Sequence, residues 1–366
     1  MYVYQTKEWP NFTWDNEKLL TLLATVRHLQ GRLLGQMENL GFRLKEEAVL
    51  STLSLDVLKS TEIEGEILNK DQVRSSIARR LGLEVSELVD SSRNVDGVVE
   101  MMLDATQNYM QPITTERLFG WHAALFPTGY SGTSKIEVGK YRSGDMQVVS
   151  GAMGKEKVHY EAPKANHIDT EMNRFLDWFN NTPSDIDPVL KAAIAHFWFV
   201  TIHPFDDGNG RIARAITDLQ LSRSDGNSQR FYSMSNQILV ERKKYYKALE
   251  KAQHGTNDIT DWLVWFLSCL ENALINSADV LNAVLTKARF WEKHTETPLN
   301  DRQRLMLNKL LDGFDGKLTS SKWAKITKCS QDTAIRDIQD LINKEILQKG
   351  AQGGRSTNYE LIELNN

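Results

Sequence analysis

The 366-residue chain is poor in cysteine, in proline and in long apolar runs, and each shortage excludes something. Cys269 and Cys329 are its two cysteines, and neither belongs to a CxxC pair or a Cys/His cluster. That argues against a disulfide framework and against structural zinc. The eight prolines fall at plausible boundaries, among them Pro112, Pro127, Pro163, Pro188 and Pro204, so long stretches are left open to helix. The longest strongly apolar run, WLVWFLSCL at 262–270, is too short to span a bilayer. The start, MYVYQTKEWPNFTW, lacks the basic beginning and apolar centre of a signal peptide. A net charge of -4 supplies no global attraction to nucleic acid or membrane. There is no GxxxxGK[ST] and no GxGxxG after a strand pattern, which excludes a P-loop or dinucleotide fingerprint. These absences predict a cytoplasmic, reduced protein with no membrane partner.

What is present reads mostly as helix. Leu19, Leu22, Leu23, Val26 and Leu29 recur at three- and four-residue spacing, as do Leu50, Leu53, Val57 and Leu58. The exception is 136–162, where β-branched and aromatic residues flank a Gly-rich turn and predict a hairpin. Three regions follow: a helical N-terminal part over 1–110, a central part over 111–285 holding the hairpin, and a C-terminal part over 299–366. The last reads as three helices and a two-stranded ribbon, the order of a winged helix-turn-helix. Thr319 and Ser330 are its expected N-caps and the GGR run at 353–355 its wing.

The densest chemistry lies at 203–214, HPFDDGNGRIAR, between an apolar run and a helical one. Gly208, Asn209 and Gly210 all tolerate positive φ, so successive amides can point into one anion-binding concavity. A helix starting there adds its own unpaired N–H groups. Arg211 and Arg214 are three apart and can reach the same anion, a fit for polyphosphate. A carboxylate beside phosphates needs a cation between them, which makes Asp206 or Asp207 a candidate Mg²⁺ ligand. His203, at the mouth of the loop, suits a general base. Taken singly, each piece is an ordinary turn or a solvated helix face; their contiguity is what carries weight.

The run HPFDDGNGRIAR resembles the signature of the Fic domain family, HPFx[DE]GNGRxxR, at every fixed position. The resemblance implies a mainly α fold: a helical core with a β-hairpin flap beside the signature loop. It also implies transfer of AMP from ATP to a Ser, Thr or Tyr hydroxyl of a target protein, with Mg²⁺. On that reading His203 deprotonates the hydroxyl and Asp207 holds the metal. Gly208, Asn209 and Gly210 cradle phosphates together with the neighbouring Ile212 and Ala213. Arg211 and Arg214 take the β- and γ-phosphates. YRSGDMQVVSG matches the family's flap, so Val148, Val149, Ser150 and Gly151 would border nucleotide and target peptide. YYKALEKAQ resembles its adenosine-side helix, making Tyr245, Tyr246 and Gln253 candidates, although a core-packing Tyr245 is an equal expectation. His196, His159 and His167 are expected to be structural or exposed.

A second stretch, KSTEIEGEIL, places Ser60 and Glu64 four apart on one helical face, with Gly65 as a stop. It resembles the family's inhibitory motif [ST]xxxE[GN]. The resemblance implies that Glu64 competes with the γ-phosphate for Arg214, and that the same site could also remove AMP. The segments WPNFTWDNEKLL and DQVRSSIARRLG resemble regions that accompany this class, which is compatible with a homodimer. Three other readings stand beside this one. The same site could transfer another nucleotide or a phosphoryl group. A metal-dependent hydrolase could use His196, His203, Asp206 and Asp207, though HExxH is absent. A DNA-binding regulator could act through the C-terminal module. From 299 onward there are 11 Lys/Arg against 9 Asp/Glu, and the expected recognition helix holds three aspartates. Protein contact is therefore expected there rather than DNA.

Overall fold

The computed structural model describes residues 1–38, 40–83, 88–150, 157–181, 185–314, 316–350 and 357–362. The chain divides into two compact units, Met1–Ala278 and Asp279–Asn366.

The first unit begins with a 3₁₀ turn, Val3–Gln5, followed by α1 (Asn16–Glu38), α2 (Phe42–Ile63), α3 (Lys70–Leu81) and α4 (Arg93–Gln107). After α5 (Thr115–Leu125) come two hairpins. The first is β1 (Tyr130–Ser131) with β2 (Ser134–Lys135), and the second is β3 (Gln147–Ser150) with β4 (Lys157–Glu161). Then come α6 (Ile168–Asn181), α7 (Pro188–Ile202), α8 (Asn209–Asp225), α9 (Met234–Val240), α10 (Arg242–Gln253) and α11 (Thr260–Lys293), of which the residues up to Ala278 belong to this unit. The expected hairpin over 136–162 thus narrows to 147–161, with a bulge between Val148 and Val149. The β1–β2 hairpin escaped prediction because two-residue strands are too short to show alternation.

The pair α7–α8 is the centre of this unit. Asp187 caps α7 by accepting from the Val189 amide, and Pro188 occupies the first turn, where a missing N–H does no harm. From Val189 to Ile202 nearly every residue is buried, so α7 is apolar all round. Trp9 and Phe12 cover one side of it through edge contacts to Phe197 and Trp198, and Trp262 lies against Phe197. The aromatic N-terminus is thereby part of the core. Backbone bonds of Thr13 to Asn257 and Ile259 hold it there.

In the second unit α12 (Asp301–Leu311), α13 (Ser320–Ile326) and α14 (Gln331–Asn343) precede a ribbon of β5 (Leu347–Lys349) and β6 (Tyr359–Leu361). Trp323, Met306, Leu307, Ile338 and Leu341 close its core. Thr319 and Ser330 cap α13 and α14 through the Lys322 and Thr333 amides, as their positions predicted. The GGR run lies outside the described residues. The expectation for the three aspartates of α14 is corrected. Asp337 is buried and holds Arg302 at 2.7 Å and Asn300 at 2.9 Å. Asp340 accepts from Gln303 at 2.7 Å and pairs with Lys344. Two of the three carboxylates therefore brace α14 against α12 and its own end, and only Asp332 stands exposed.

Candidate functional site

The loop between α7 and α8 is set by its own side chains. His203 ends α7 at φ 53, a left-handed backbone that a non-glycine residue adopts only under external restraint. The restraint is Arg142. Its amide donates to the Pro204 carbonyl at 2.9 Å, and its buried guanidinium donates to the carbonyls of His203, Gly144 and Pro163. Phe205 stacks on His122 with ring centroids 4.3 Å apart. Asn209 staples the turn, accepting from the Phe205 amide at 3.0 Å and donating to its carbonyl at 2.8 Å. The Asn209 side chain is thus spent inside the loop.

The glycines differ in purpose. Gly208 has φ 78 and is the N-cap of α8, but Asn209 and Gly210 are helical rather than left-handed. Gly210 leaves room for Glu64, since a Cβ there would lie 2.3 Å from Glu64 Oε1 and displace that carboxylate. With Gly208 as cap, the first-turn amides of Asn209, Gly210 and Arg211 have no partner within the helix. The amide of Ile212 already donates to the Gly208 carbonyl at 3.0 Å, and Ile212 and Ala213 are buried. Those two residues belong to the helix interior, not to the cradle.

His203 is oriented for base chemistry. Nδ1 lies 3.2 Å from the Val200 carbonyl, which can only accept, so the proton sits on Nδ1 and the Nε2 lone pair is left open. Burial, together with the charge of Arg142, pushes its pKa down to about 4, against the Val200 bond, Glu64 and Asp207. The imidazole is therefore neutral at ordinary pH. His196 is different: Thr217 donates to the Ala213 carbonyl and so accepts from His196 Nδ1, while the Tyr245 hydroxyl reaches Nε2 at 3.0 Å. Both His196 and Tyr245 are buried packing partners. Tyr246 is 40% exposed and Gln253 is buried, so the three candidates on α10 do not share one environment.

The arginines are already engaged. Arg214 Nε donates to Ser60 Oγ at 2.8 Å, and Nη2 donates to the Ser60 carbonyl at 2.8 Å and to Glu64 Oε1 at 2.7 Å. That carbonyl is available because α2 tightens at its end, where the Glu64 amide bonds Thr61 instead. Burial works against the charge of Arg214, and Glu64 together with the nearby Tyr245 and Tyr246 outweighs it, so its pKa is raised. Arg211 lies over the Phe126 ring and reaches Glu66 at 3.4 Å. Arg214 Nη1 and Arg211 Nε are buried without a hydrogen-bond partner among the described residues, two donors suited to anionic oxygens.

The two aspartates part company. Asp206 accepts from the Glu137 amide at 2.8 Å and fastens the segment before the flap. Asp207 accepts from the Gly208 amide at 2.6 Å and from the Ser131 hydroxyl of the β1–β2 hairpin. One carboxylate and one hydroxyl beside an anion cradle fit a hard cation that also takes phosphate oxygens. Among the described residues no group of three or more His, Cys, Asp or Glu is placed to hold a metal by itself.

The flap is a two-stranded sheet, so β3 has one edge without a strand among the described residues. Val148 and Val149 are exposed on it. Ser150 ends β3, and Gly151 lies outside the described residues. On β4, Tyr160 is buried and donates to the Thr201 carbonyl at 2.7 Å, tying the flap to α7. Arg142, Ser131 and Glu66 were not foreseen. An EGE triplet could have suggested Glu66; nothing in the sequence marks a guanidinium that serves three carbonyls.

No helix among the described residues is long and apolar enough to cross a membrane. Residues 2–83 match a domain of unknown function, DUF4172, and residues 112–221 match the Fic/DOC family. A protein adenylyltransferase Fic from Nematostella vectensis is 24% identical over 221 residues, covering 60% of this chain and 47% of that protein. One from Drosophila willistoni is 28% identical over 235 residues, covering 63% of this chain and 42% of its own length. The chain thus spans less than half the length of these two relatives. A Fic family protein from Desulfovibrio desulfuricans G20 shares the fold across 98% of this chain and 99% of its own, at TM-score 0.57 and 22% identity. A Fic-domain signaling protein from Bacteroides thetaiotaomicron VPI-5482 does so over 70% of this chain and 98% of its own, at TM-score 0.52 and 20% identity. The mainly helical fold with its small hairpins is that of the Fic type. The Fic/DOC match over residues 112–221, preceded by the DUF4172 match, thus goes with a distant similarity to the Fic protein adenylyltransferases.

Proposed function

We propose that this chain transfers AMP from ATP to hydroxyl groups of a target protein and of itself, and that Glu64 restrains the reaction. One observation carries the reading: a neutral His203 with its Nε2 lone pair open stands at the head of a helix N-terminus backed by two arginines. In the reaction the target oxygen attacks the α-phosphorus, the bond to the bridging oxygen breaks, and pyrophosphate leaves. His203 Nε2 takes the hydroxyl proton. The first-turn amides of α8 and the guanidiniums of Arg211 and Arg214 hold the phosphates, with charge favourable to an anion. Asp207, with Ser131 beside it, would hold Mg²⁺, which supplies charge neutralisation on the leaving group. The open edge of β3 supports a target segment bound as an added strand.

The restraint is competition for one guanidinium. With Glu64 on Arg214, the γ-phosphate loses a ligand and meets a carboxylate in its place. Glu64→Gly is expected to raise transfer about tenfold or more, equivalent to about 1.4 kcal/mol. The test incubates α-labelled ATP, GTP, CTP and UTP with this variant and a cell lysate, and measures label on protein. His203→Ala on the Glu64→Gly background should abolish label while ATP still binds by calorimetry. Equal labelling by wild type and Glu64→Gly would remove the restraint. Label from a nucleotide other than ATP would remove the AMP assignment.

A further inference from the structure

The exposed face of α14 is a single stripe: Asp332, Ile335, Arg336, Gln339 and Asn343, at spacings of three and four. Its other face is spent on the core and on the Arg302–Asp337 and Gln303–Asp340 pairs. From 320 to 343 the exposed cations are Lys322, Lys325, Lys328 and Arg336, and the one exposed anion is Asp332. Two of its three carboxylates are therefore engaged within the fold, Asp332 and Arg336 balance on its exposed face, and the positive excess of this surface comes from Lys322, Lys325 and Lys328 ahead of it.

We infer that the unit formed by α12–α14 and the β5–β6 ribbon is a binding site for double-stranded DNA, with α14 as the helix that enters the major groove. The helix of 13 residues is about 20 Å long, ample for that groove. Its stripe holds the side-chain types that read base edges. Arg336 suits the O6/N7 pair of guanine, Gln339 and Asn343 the N6/N7 pair of adenine, and Ile335 a thymine methyl. Asp332 is no obstacle in this setting, since a carboxylate accepts from cytosine N4. Lys325 on α13 and Lys328 in the turn, beside the first residue of α14, supply phosphate contacts. Gln331 fixes the approach of the two helices by donating to Ser320 and Ser321. A protein-docking face would need an aromatic or aliphatic anchor cluster; here Ile335, 46% exposed, is the one large apolar side chain of the stripe.

The experiment uses the full chain and a fluorescent random-sequence duplex of about 20 base pairs, titrated by anisotropy between about 50 and 200 mM salt. Binding near micromolar at low salt, weakening steeply with salt, is expected. The double variant Lys325→Glu/Lys328→Glu should weaken it tenfold or more and flatten the log–log salt dependence by about two. Arg336→Ala should keep that salt dependence but lose discrimination among sequences enriched from a random pool. Circular dichroism checks that the variants keep their helices, and these exposed positions carry no core packing. No saltable binding at low salt overturns the inference, as does binding that the lysine reversals leave unchanged. A change in the chain's own oligomeric mass with Ile335→Asp, without duplex binding, would assign the face to protein and overturn it too.

Discussion

At the scale of single residues, the site turns on how His203 is held. Its left-handed backbone is unfavourable for a residue with a Cβ, and Arg142 holds the turn at two points, its amide on the Pro204 carbonyl and its Nε on the His203 carbonyl. Arg142 also lowers the His203 pKa by its charge, second to burial among the causes that lower it. Position and charge can be separated. Arg142→Lys keeps the charge but loses the planar fork whose three nitrogens each reach a separate carbonyl, so kcat should fall about tenfold or more while the acid limb of the pH profile stays well below the ordinary histidine value of about 6.5. Arg142→Gln should also move that limb upward. A base is active only when unprotonated, so activity is lost as pH falls through the His203 pKa. If both variants show the same limb, Arg142 acts only on the fold. His203, Asp207 and Arg214 could be singled out as candidates because they stand together in one short motif. Arg142 could not, because its role depends on a contact 61 residues away.

At the scale of elements, the connection from α2 to α3 carries two acidic arms about Gly65, whose φ of 89 turns the chain sharply after α2. Glu64 reaches Arg214 and Glu66 reaches Arg211, so both arginines of the RxxR pair are met from one turn. The Glu66 contact is longer and Glu66 is 43% exposed, so water screens it. Glu66 is also held by Asn94 of α4. Glu66→Ala alone should raise transfer less than threefold. Added to Glu64→Gly, it should lower KM for ATP with little change in kcat, since Arg211 binds phosphate in ground and transition states alike. A larger effect from Glu66 than from Glu64 would reverse the ranking. Helices of regular period, such as α1 and α2, and the caps at Thr319 and Ser330 could be read in advance because periodicity and capping are local rules. The side on which Asp337 and Asp340 lie could not, because composition counts charges without saying which face they occupy.

At the scale of the whole molecule, the regions matching two different families close into one compact unit, and their seam is acidic. Asp56 of α2 comes from the first region and Asp218 of α8 from the second, one helical turn from Ser60 and Arg214 respectively. Both carboxylates are buried, and an oxygen of each lacks a partner among the described residues. Asp218 is met by Arg230 at 2.9 Å, whereas Asp56 accepts from the Ser233 hydroxyl. Burial, and then the facing charge of Asp218, push the Asp56 pKa up to about 8. The unfolded chain has Asp56 near its ordinary value of about 3.9, so folding takes up a proton between about pH 4 and pH 8. Across that window Asp56 binds more proton in the native state than in the unfolded one, so its contribution to stability falls as pH rises; above it that contribution no longer changes. Asp56→Asn removes the ionisation and keeps an acceptor for Ser233. The variant should melt a few degrees higher than wild type near pH 8 and show a flatter dependence of Tm on pH between about 5 and 8. Calorimetry across that range decides it: a lower Tm at pH 8, or a slope equal to wild type, would mean that the seam holds no proton.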